Sequence, residues 1–321
     1  MAEPWHECIK GELEEVESFM RKTLETRSPE LTEMCQYVTC SGGKRLRPAI
    51  CILSYRACGG ADSEKPVKVG TAFEIVHSAT LIHDDINDQG ELRRGRKTLH
   101  RQYTVSKAII AGDYMFAVGF QLLSEVAPQI ANYVVEASAY MGAGEFIQKD
   151  FEHSPEVTQD DYIQIIMGKT AKLFAASAKS GAVITGADME TLDQIGEYAE
   201  HLGLAFQIVD DTLDVKGDPH NTGKSVGTDW LEGKPTLPVI YAMEDQQYGP
   251  RVKELFLKKD VTDADVSEAL DLILKTDSVD RCLSLAADYA AQAKADLSGL
   301  QESKYKDALL SLADYVVGRD R

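Results

Sequence analysis

Two aspartate clusters share the form D-D-x-x-D. Asp84, Asp85 and Asp88 lie in LIHDDINDQGELRRG, and Asp210, Asp211 and Asp214 lie in FQIVDDTLDVKGD. On a helix, positions i and i+4 share a face, so Asp84 projects with Asp88 and Asp210 with Asp214. Each cluster follows an apolar run, ATLI before the first and LAFQIV before the second. Carboxylates crowded at the end of a buried helix repel one another and lose solvation, a cost that a bound cation relieves. Oxygen donors with no Cys or His partner suit Mg²⁺, which keeps several waters and binds one or two carboxylates together with substrate phosphates. One such cluster is equally readable as a solvated helix end; two copies on apolar runs favour the metal. EF-hand calcium binding does not fit, because its loop spacing and central Gly are missing.

Basic residues supply the counterpart. Ser41-Gly42-Gly43-Lys44-Arg45-Leu46-Arg47-Pro48 is a Gly-rich turn followed by three cations in four residues, and it does not meet the Walker A pattern. Arg93 and Arg94 follow the first acidic cluster directly; Lys169-Thr170, Lys224 and Lys234 add cations at helix starts or loops. Arginine grips phosphate oxygens in a planar fork and lysine acts as a mobile point charge. Any one of these cations alone reads as a surface charge. Together, flanking both acidic motifs beside glycines, they predict a diphosphate held partly by Mg²⁺ and partly by Arg and Lys. His77 either reaches a phosphate or is a satisfied core histidine, and His83 reads as structural. No G-x-S-x-G elbow occurs, so a Ser-His-Asp triad is not suggested.

The elements that must position these groups read as helices almost throughout. In 67–89 apolar residues recur at helical spacing (Val69, Phe73, Val76, Ile82), and 104–126, 129–153, 159–184 and 188–215 are long, Ala/Leu/Ile-rich and poor in Pro. The stretches 262–275 and 279–298 look similar, with Thr262 and Asp265 resembling a capping pair. Convincing alternating strands and Asn-Gly hairpin turns are absent. Glycines and prolines gather at a few joints, 41–43, 59–60, 90–95 and 217–233, where the charges also concentrate. The expectation is one all-α domain over residues 1–321. The net charge of −18 repels nucleic acid and anionic membrane surfaces. Hydrophobic residues make up 44% of the chain and recur periodically, which argues against disorder. Six scattered cysteines without a CxxC pair, an acidic N-terminus without an apolar core, and a longest charge-free run of only Tyr114 to Ser124 predict a soluble, cytoplasmic protein.

These motifs resemble the trans-isoprenyl diphosphate synthases, the polyprenyl synthase family. The likeness runs through GGKRLRP (42–48), HDDIND with RRG (83–88 and 93–95), GKTA (168–171), FQIVDDTLD (206–214), GKSVGTDWLEGKPTLP (223–238) and the basic tail YVVGRDR. One departure is Arg96-Lys97-Thr98, which lacks the proline the family often carries there. The resemblance implies an all-α bundle around a central cavity and a chain-elongating, head-to-tail condensation of isopentenyl diphosphate with an allylic diphosphate (dimethylallyl, geranyl or farnesyl). It implies three Mg²⁺ ions held by Asp84, Asp88, Asp210 and Asp214, with Asp85 and Asp211 as supporting acceptors. Arg93, Lys169, Lys234 and Lys224 would contact the allylic diphosphate. Lys44, Arg47, His77 and Arg94, with Arg45 beside them, would bind isopentenyl diphosphate. Thr170 and Gln207 would line the reacting centre, and Arg319 and Arg321 would help to close it. A homodimer is also implied.

Product length in this family follows a hydrophobic tunnel along the helix that ends in the first motif. The positions that often carry aromatic plugs are Ala79 and Thr80 here, both small. Val76 lies ~12 Å from Asp84 along the axis at ~1.5 Å per residue, and Tyr114, Met115, Phe116 and Phe120 on a neighbouring helix are candidates for the floor. The reading is a product near C20, with C15 to C25 and longer chains left open. A terpene cyclase would need no isopentenyl diphosphate site, against Lys44, Arg47 and Arg94. An accessory subunit would be expected to lack one of the aspartate motifs, and both are present.

Overall fold

The computed structural model describes residues 5–216 and 227–319. In chain order its helices are α1 (Lys10–Thr23), α2 (Pro29–Thr39), α3 (Leu46–Ala57), α4 (Glu64–Asn87), α5 (Leu99–Gln102), α6 (Val105–Ser124), α7 (Pro128–Asp150), α8 (Gln159–Ile166), α9 (Lys172–Ile184) and α10 (Met189–Lys216). There follow α11 (Thr228–Leu231), α12 (Leu237–Glu244), α13 (Gly249–Phe256), α14 (Asp263–Ile273), α15 (Ser278–Asp296) and α16 (Lys304–Gly318). The all-α expectation holds, and the long predicted helices fall within a few residues of α4, α6, α7, α10, α14 and α15.

Local signals set several of these ends. The Ser28 hydroxyl accepts the Leu31 N–H ahead of α2, with Pro29 in the first helical position. Thr158 with Asp161 and Thr262 with Asp265 each close a reciprocal capping box. At the second, Thr262 Oγ1 accepts the Asp265 N–H at 3.3 Å and Asp265 Oδ2 accepts the Thr262 N–H at 2.9 Å.

Two features depart from the helical reading. Residues 159–184 form α8 and α9 joined by a wide π turn at Met167–Ala171, a distortion often found at functional sites. Between α4 and α5 a two-stranded ribbon pairs β1 (Leu92–Arg93) with β2 (Arg96–Lys97), Leu92 opposite Lys97. Its turn residues, Arg94 and Gly95, both have positive φ, 52° and 72°, as a tight hairpin of this hand requires. Two-residue strands are too short for an alternating pattern to show.

The chain divides into two compact units. The first comprises Met1–Ala137, Leu173–Ala199 and Asp296–Leu312, and the second Ser138–Lys172, Glu200–Ala295 and Ala313–Arg321. In the first, α4 packs most extensively on α6 and α3 and is buried on nearly every side, with Phe73, Ile75 and Val76 wholly inside. A helix hydrophobic all round belongs in a core. In the second, Tyr162, Ile166, Leu204, Ile208 and Tyr241 share one cluster, and Trp230, Val252 and Phe256 belong to another.

Close helix contact in the first unit rests on glycine. A Cβ on Gly181 of α9 would stand 2.0 Å from the Cys51 carbonyl oxygen of α3. Overpacking of this kind costs about 1–3 kcal/mol. Gly181→Ala should therefore lower Tm by about 2–12 °C at roughly 2–4 °C per kcal/mol, and a thermal melt superimposable on that of the parent would contradict this packing.

Candidate active site

In the first unit, α4 carries the first aspartate motif at its C-terminal end. Asp88 closes the helix, its N–H donating to the Asp84 carbonyl at 2.8 Å. Asp84 and Asp88 are half-buried, and Asp85 is buried at 8% exposure. Arg93 Nε donates to Asp85 Oδ1 at 2.6 Å. Burial pushes the Asp85 carboxyl up and Arg93 opposes that shift. Asp85 thus spends its charge on the hairpin, tying it to the helix end, while Asp84 and Asp88 share the face that suits a hard cation.

Four arginines gather farther back along α4. The loop before α3 turns on Gly42 and Gly43 (φ 84° and 148°) and on Arg45, whose φ of 48° is left-handed. Arg94 fits against Gly43, where a Cβ would come 3.1 Å from Nη2, and donates to the Gly42 carbonyl and to Ser41 Oγ. Arg45 is engaged by Glu17, by Glu74 Oε1 at 2.7 Å and by the Thr39 carbonyl at 2.6 Å. Arg47 lies over the Phe174 ring, 4.9 Å from its centroid, and its buried Nε finds no hydrogen-bond partner among the described residues. Burial lowers the Arg47 guanidinium to about 10, against the pull of Glu74. His77, one turn after Glu74, is driven well below its ordinary value by burial and then by Arg47, Arg94, Arg93 and Arg45. The imidazole is therefore neutral in a field of cations. An orphaned buried guanidinium nitrogen beside a neutral histidine is a site built for an anion. Lys44 stands exposed at its rim.

In the second unit the π turn aims Lys169 and Thr170. Lys169 is ion-paired with Glu145 and donates to Gln148 Oε1 at 2.9 Å. The Thr170 hydroxyl donates to Gln207 Oε1 at 2.8 Å. Gln207 Nε2 donates to Asp211 Oδ1 at 2.8 Å, and the Tyr162 hydroxyl donates to Asp211 Oδ2 at 2.7 Å. Burial, with Asp229 adding to it, raises the Asp211 carboxyl, and the two donors oppose the shift. Asp210 receives Arg319 Nη2 at 3.3 Å. That arginine also donates to the Phe206 carbonyl at 2.8 Å and lies 4.0 Å from the Phe206 ring centroid. Its Nε and Nη1 are buried without partners among the described residues. Asp214 Oδ2 accepts the Asp229 N–H at 3.1 Å. Lys234 pairs with Glu232 at 2.6 Å. A cavity of about 110 Å³ is lined by Tyr162, Lys169, Thr170, Gln207, Asp211 and Lys234, among others. As in the first motif, the middle aspartate is held by protein donors, and the outer pair, Asp210 and Asp214, shares a helix face.

Lys224 and Arg321 lie outside the described residues. The sequence reading missed Glu74, Tyr162, Gln148 and Asp229. Glu74 had a signal, as the one acid in the apolar run VGTAFEIVHSAT, and Asp229 sits inside the quoted GTDW. Tyr162 had none, since its spacing is that of any core aromatic.

The chain-length positions are all in the first unit. Val76, Ala79 and Thr80 are buried, and the Thr80 hydroxyl donates to the His77 carbonyl at 2.8 Å. Opposite Val76 the facing helix offers Gly119, where a Cβ would come 2.6 Å from Val76 Cγ2. Phe116 sits higher, 5.7 Å from the His83 ring and 5.9 Å from Phe120.

Comparison with known proteins bears on the whole chain. The family profile described as Polyprenyl synthetase matches residues 28–273. The chain is 32% identical over 307 residues to an all-trans-nonaprenyl-diphosphate synthase (geranyl-diphosphate specific) of Rhodobacter capsulatus, covering 95% of this chain and 94% of that one. It is 34% identical over 301 residues to a geranylgeranyl diphosphate synthase of Methanosarcina mazei, covering 92% and 91%. A crystal structure of a polyprenyl synthase from Caulobacter crescentus CB15, complexed with calcium and isoprenyl diphosphate, matches with a TM-score of 0.94 at 34% identity over 99% of this chain and 97% of that one.

Proposed function

The chain belongs to the polyprenyl synthetase family and is a trans-prenyltransferase that elongates prenyl diphosphates, and from that premise we propose that it joins isopentenyl diphosphate to an allylic diphosphate with a product near C20. The observation that carries the two-substrate reading is the arginine cluster around neutral His77, with an Arg47 Nε that has no partner among the described residues. It gives isopentenyl diphosphate its own anion site, which a cyclase acting on a single diphosphate does not need.

In this reading Arg47, Arg94, Lys44 and His77 hold isopentenyl diphosphate, with Arg45 fixing the loop from behind. Arg93, Lys169, Lys234 and Lys224 hold the allylic diphosphate. Asp84 and Asp88 of the first motif and Asp210 and Asp214 of the second would hold Mg²⁺, with three ions expected, and the metal would supply positive charge to the pyrophosphate leaving group. The allylic C1–O bond breaks with its electron pair going to pyrophosphate, and the C3–C4 alkene of isopentenyl diphosphate forms the new C1–C4 bond. A C2 proton then passes to a pyrophosphate oxygen as the new double bond closes. Lys169 and Arg319 add fixed positive charge for the leaving group. Water must be kept from the cation, which it would trap as an alcohol. The whole chain serves as one catalytic domain, in the cytoplasm. Among the described residues no helix is long and apolar enough to cross a membrane. The exposed Val105, Ile109 and Ile110 of α6 support a homodimer.

Small side chains at Ala79 and Thr80 support passage of a growing chain beyond C15, and Val76 against Gly119 supports a stop one level deeper. Ala79→Phe, assayed with isopentenyl and geranyl diphosphate, should move the main product from C20 to C15. The same product profile in parent and variant would remove this assignment of the tunnel.

A further inference from the structure

We propose that Tyr162 is a positioning residue of the reaction: its hydroxyl anchors Asp211 and, through Asp211 and Gln207, sets the direction in which the Thr170 hydroxyl faces the reacting pocket. This rests on the carbocation reading above. Three hydrogen bonds run in series, Thr170 Oγ1 to Gln207 Oε1 at 2.8 Å, Gln207 Nε2 to Asp211 Oδ1 at 2.8 Å, and Tyr162 Oη to Asp211 Oδ2 at 2.7 Å. All four side chains line the same cavity.

The polarity of the series follows from what each group can do. Gln207 turns its NH₂ toward Asp211 Oδ1 and its carbonyl oxygen toward Thr170, and an amide NH₂ only donates while its carbonyl only accepts. Thr170 must then give its hydrogen to Gln207. Every hydrogen in the series points toward Asp211, and the Thr170 oxygen keeps its lone pairs for the cavity. Beside a developing allylic cation, lone pairs stabilise and an O–H dipole of the reverse sense does not. Tyr162 is the outer anchor. Without its hydroxyl, one oxygen of a buried carboxylate has lost its donor, Asp211 is no longer held from both sides, and the Gln207 amide loses its fixed sense. The Tyr162 ring belongs to the surrounding core with Ile166 and Leu204, so Phe keeps the shape and removes only the anchor.

The test is a double-mutant cycle in the full-length enzyme with Mg²⁺, isopentenyl diphosphate and an allylic diphosphate. Tyr162→Phe should lower kcat about 30-fold, the scale of leaving a buried polar group without its donor. Both KM values should stay within about threefold, because the series supplies no cation to either diphosphate. In a Thr170→Val background, where no hydroxyl remains to be oriented, adding Tyr162→Phe should cost no more than about threefold in kcat. A purely structural tyrosine gives equal losses in both backgrounds, or raises KM along with the fall in kcat, and either result overturns the proposal. So does a Tyr162→Phe kcat within twofold of the parent. Should that variant fail to fold, Gln207→Met cuts the same series in its middle: its loss must vanish in the Thr170→Val background, and an additive loss overturns the proposal. A parent protein that elongates nothing refutes the proposed function, a failure distinct from all of these.

Discussion

Asp84→Ala is expected to reduce kcat by about 10³-fold or more while leaving the fold intact. A metal ion that takes up developing charge supplies several kcal/mol of transition-state stabilisation, and a loss of ~4 kcal/mol is about three tenfold steps in rate. Asp84 and Asp88 stand one turn apart at the C-terminal end of α4, where the Asp88 N–H closes on the Asp84 carbonyl. That capping bond uses the backbone, so alanine, the best helix former, preserves it. Asp85 offers no substitute, because its carboxylate is committed to Arg93. Steady-state kinetics should show the loss, circular dichroism should match the parent, and excess Mg²⁺ should not restore the parent rate. A variant turning over at the parent rate would take Asp84 out of the metal site.

Arg47→Met should raise the KM for isopentenyl diphosphate about 100-fold and move the KM for the allylic substrate no more than about threefold. Charge-assisted hydrogen bonds are worth roughly 1.5–3 kcal/mol each, and a guanidinium fork makes two, so the estimate is a conservative one. The free protein already signals what is at stake. Arg47 Nε is buried without a partner among the described residues, and burial has lowered the group to about 10. Holding a desolvated cation without its anion destabilises the ligand-free fold. Methionine fills much the same space without the charge, so the Tm of the variant should equal or exceed that of the parent. Binding would then be lost while stability is kept, a trade expected where a site is strained for function. Equal rises in both KM values would place Arg47 outside a dedicated isopentenyl diphosphate site.

The helices were legible because apolar spacing, capping pairs and the scarcity of Pro all act locally. Thr262 and Asp265 cap α14 as read, since a capping box needs only four residues. The aspartate motifs and GGKRLRP were legible because a metal and a diphosphate demand particular atoms at particular spacings. What escaped depends on partners remote in sequence. Arg45 looks like Arg47 on paper, yet Glu17, Glu74 and the Thr39 carbonyl consume its guanidinium while Arg47 Nε has no partner among the described residues. The π turn is invisible because Met167–Ala171 has ordinary helix formers, and only the packing around it widens the turn. The close approach of Gly119 on α6 to Val76 escaped as well. A glycine in an apolar helix marks a close approach without saying to whom. Tyr162 and Asp211 are 49 residues apart, and no local pattern couples them.

The central claim is that this chain extends an allylic diphosphate by isopentenyl units under Mg²⁺. Mass spectrometry of the products made by the pure protein from dimethylallyl, geranyl and farnesyl diphosphates, each with isopentenyl diphosphate and Mg²⁺, tests it most directly. The account predicts all-trans prenyl diphosphates converging on C20 from every accepted starter, and none when the metal is chelated. Intact starters, cyclised hydrocarbons, or elongation undiminished by chelation would contradict it.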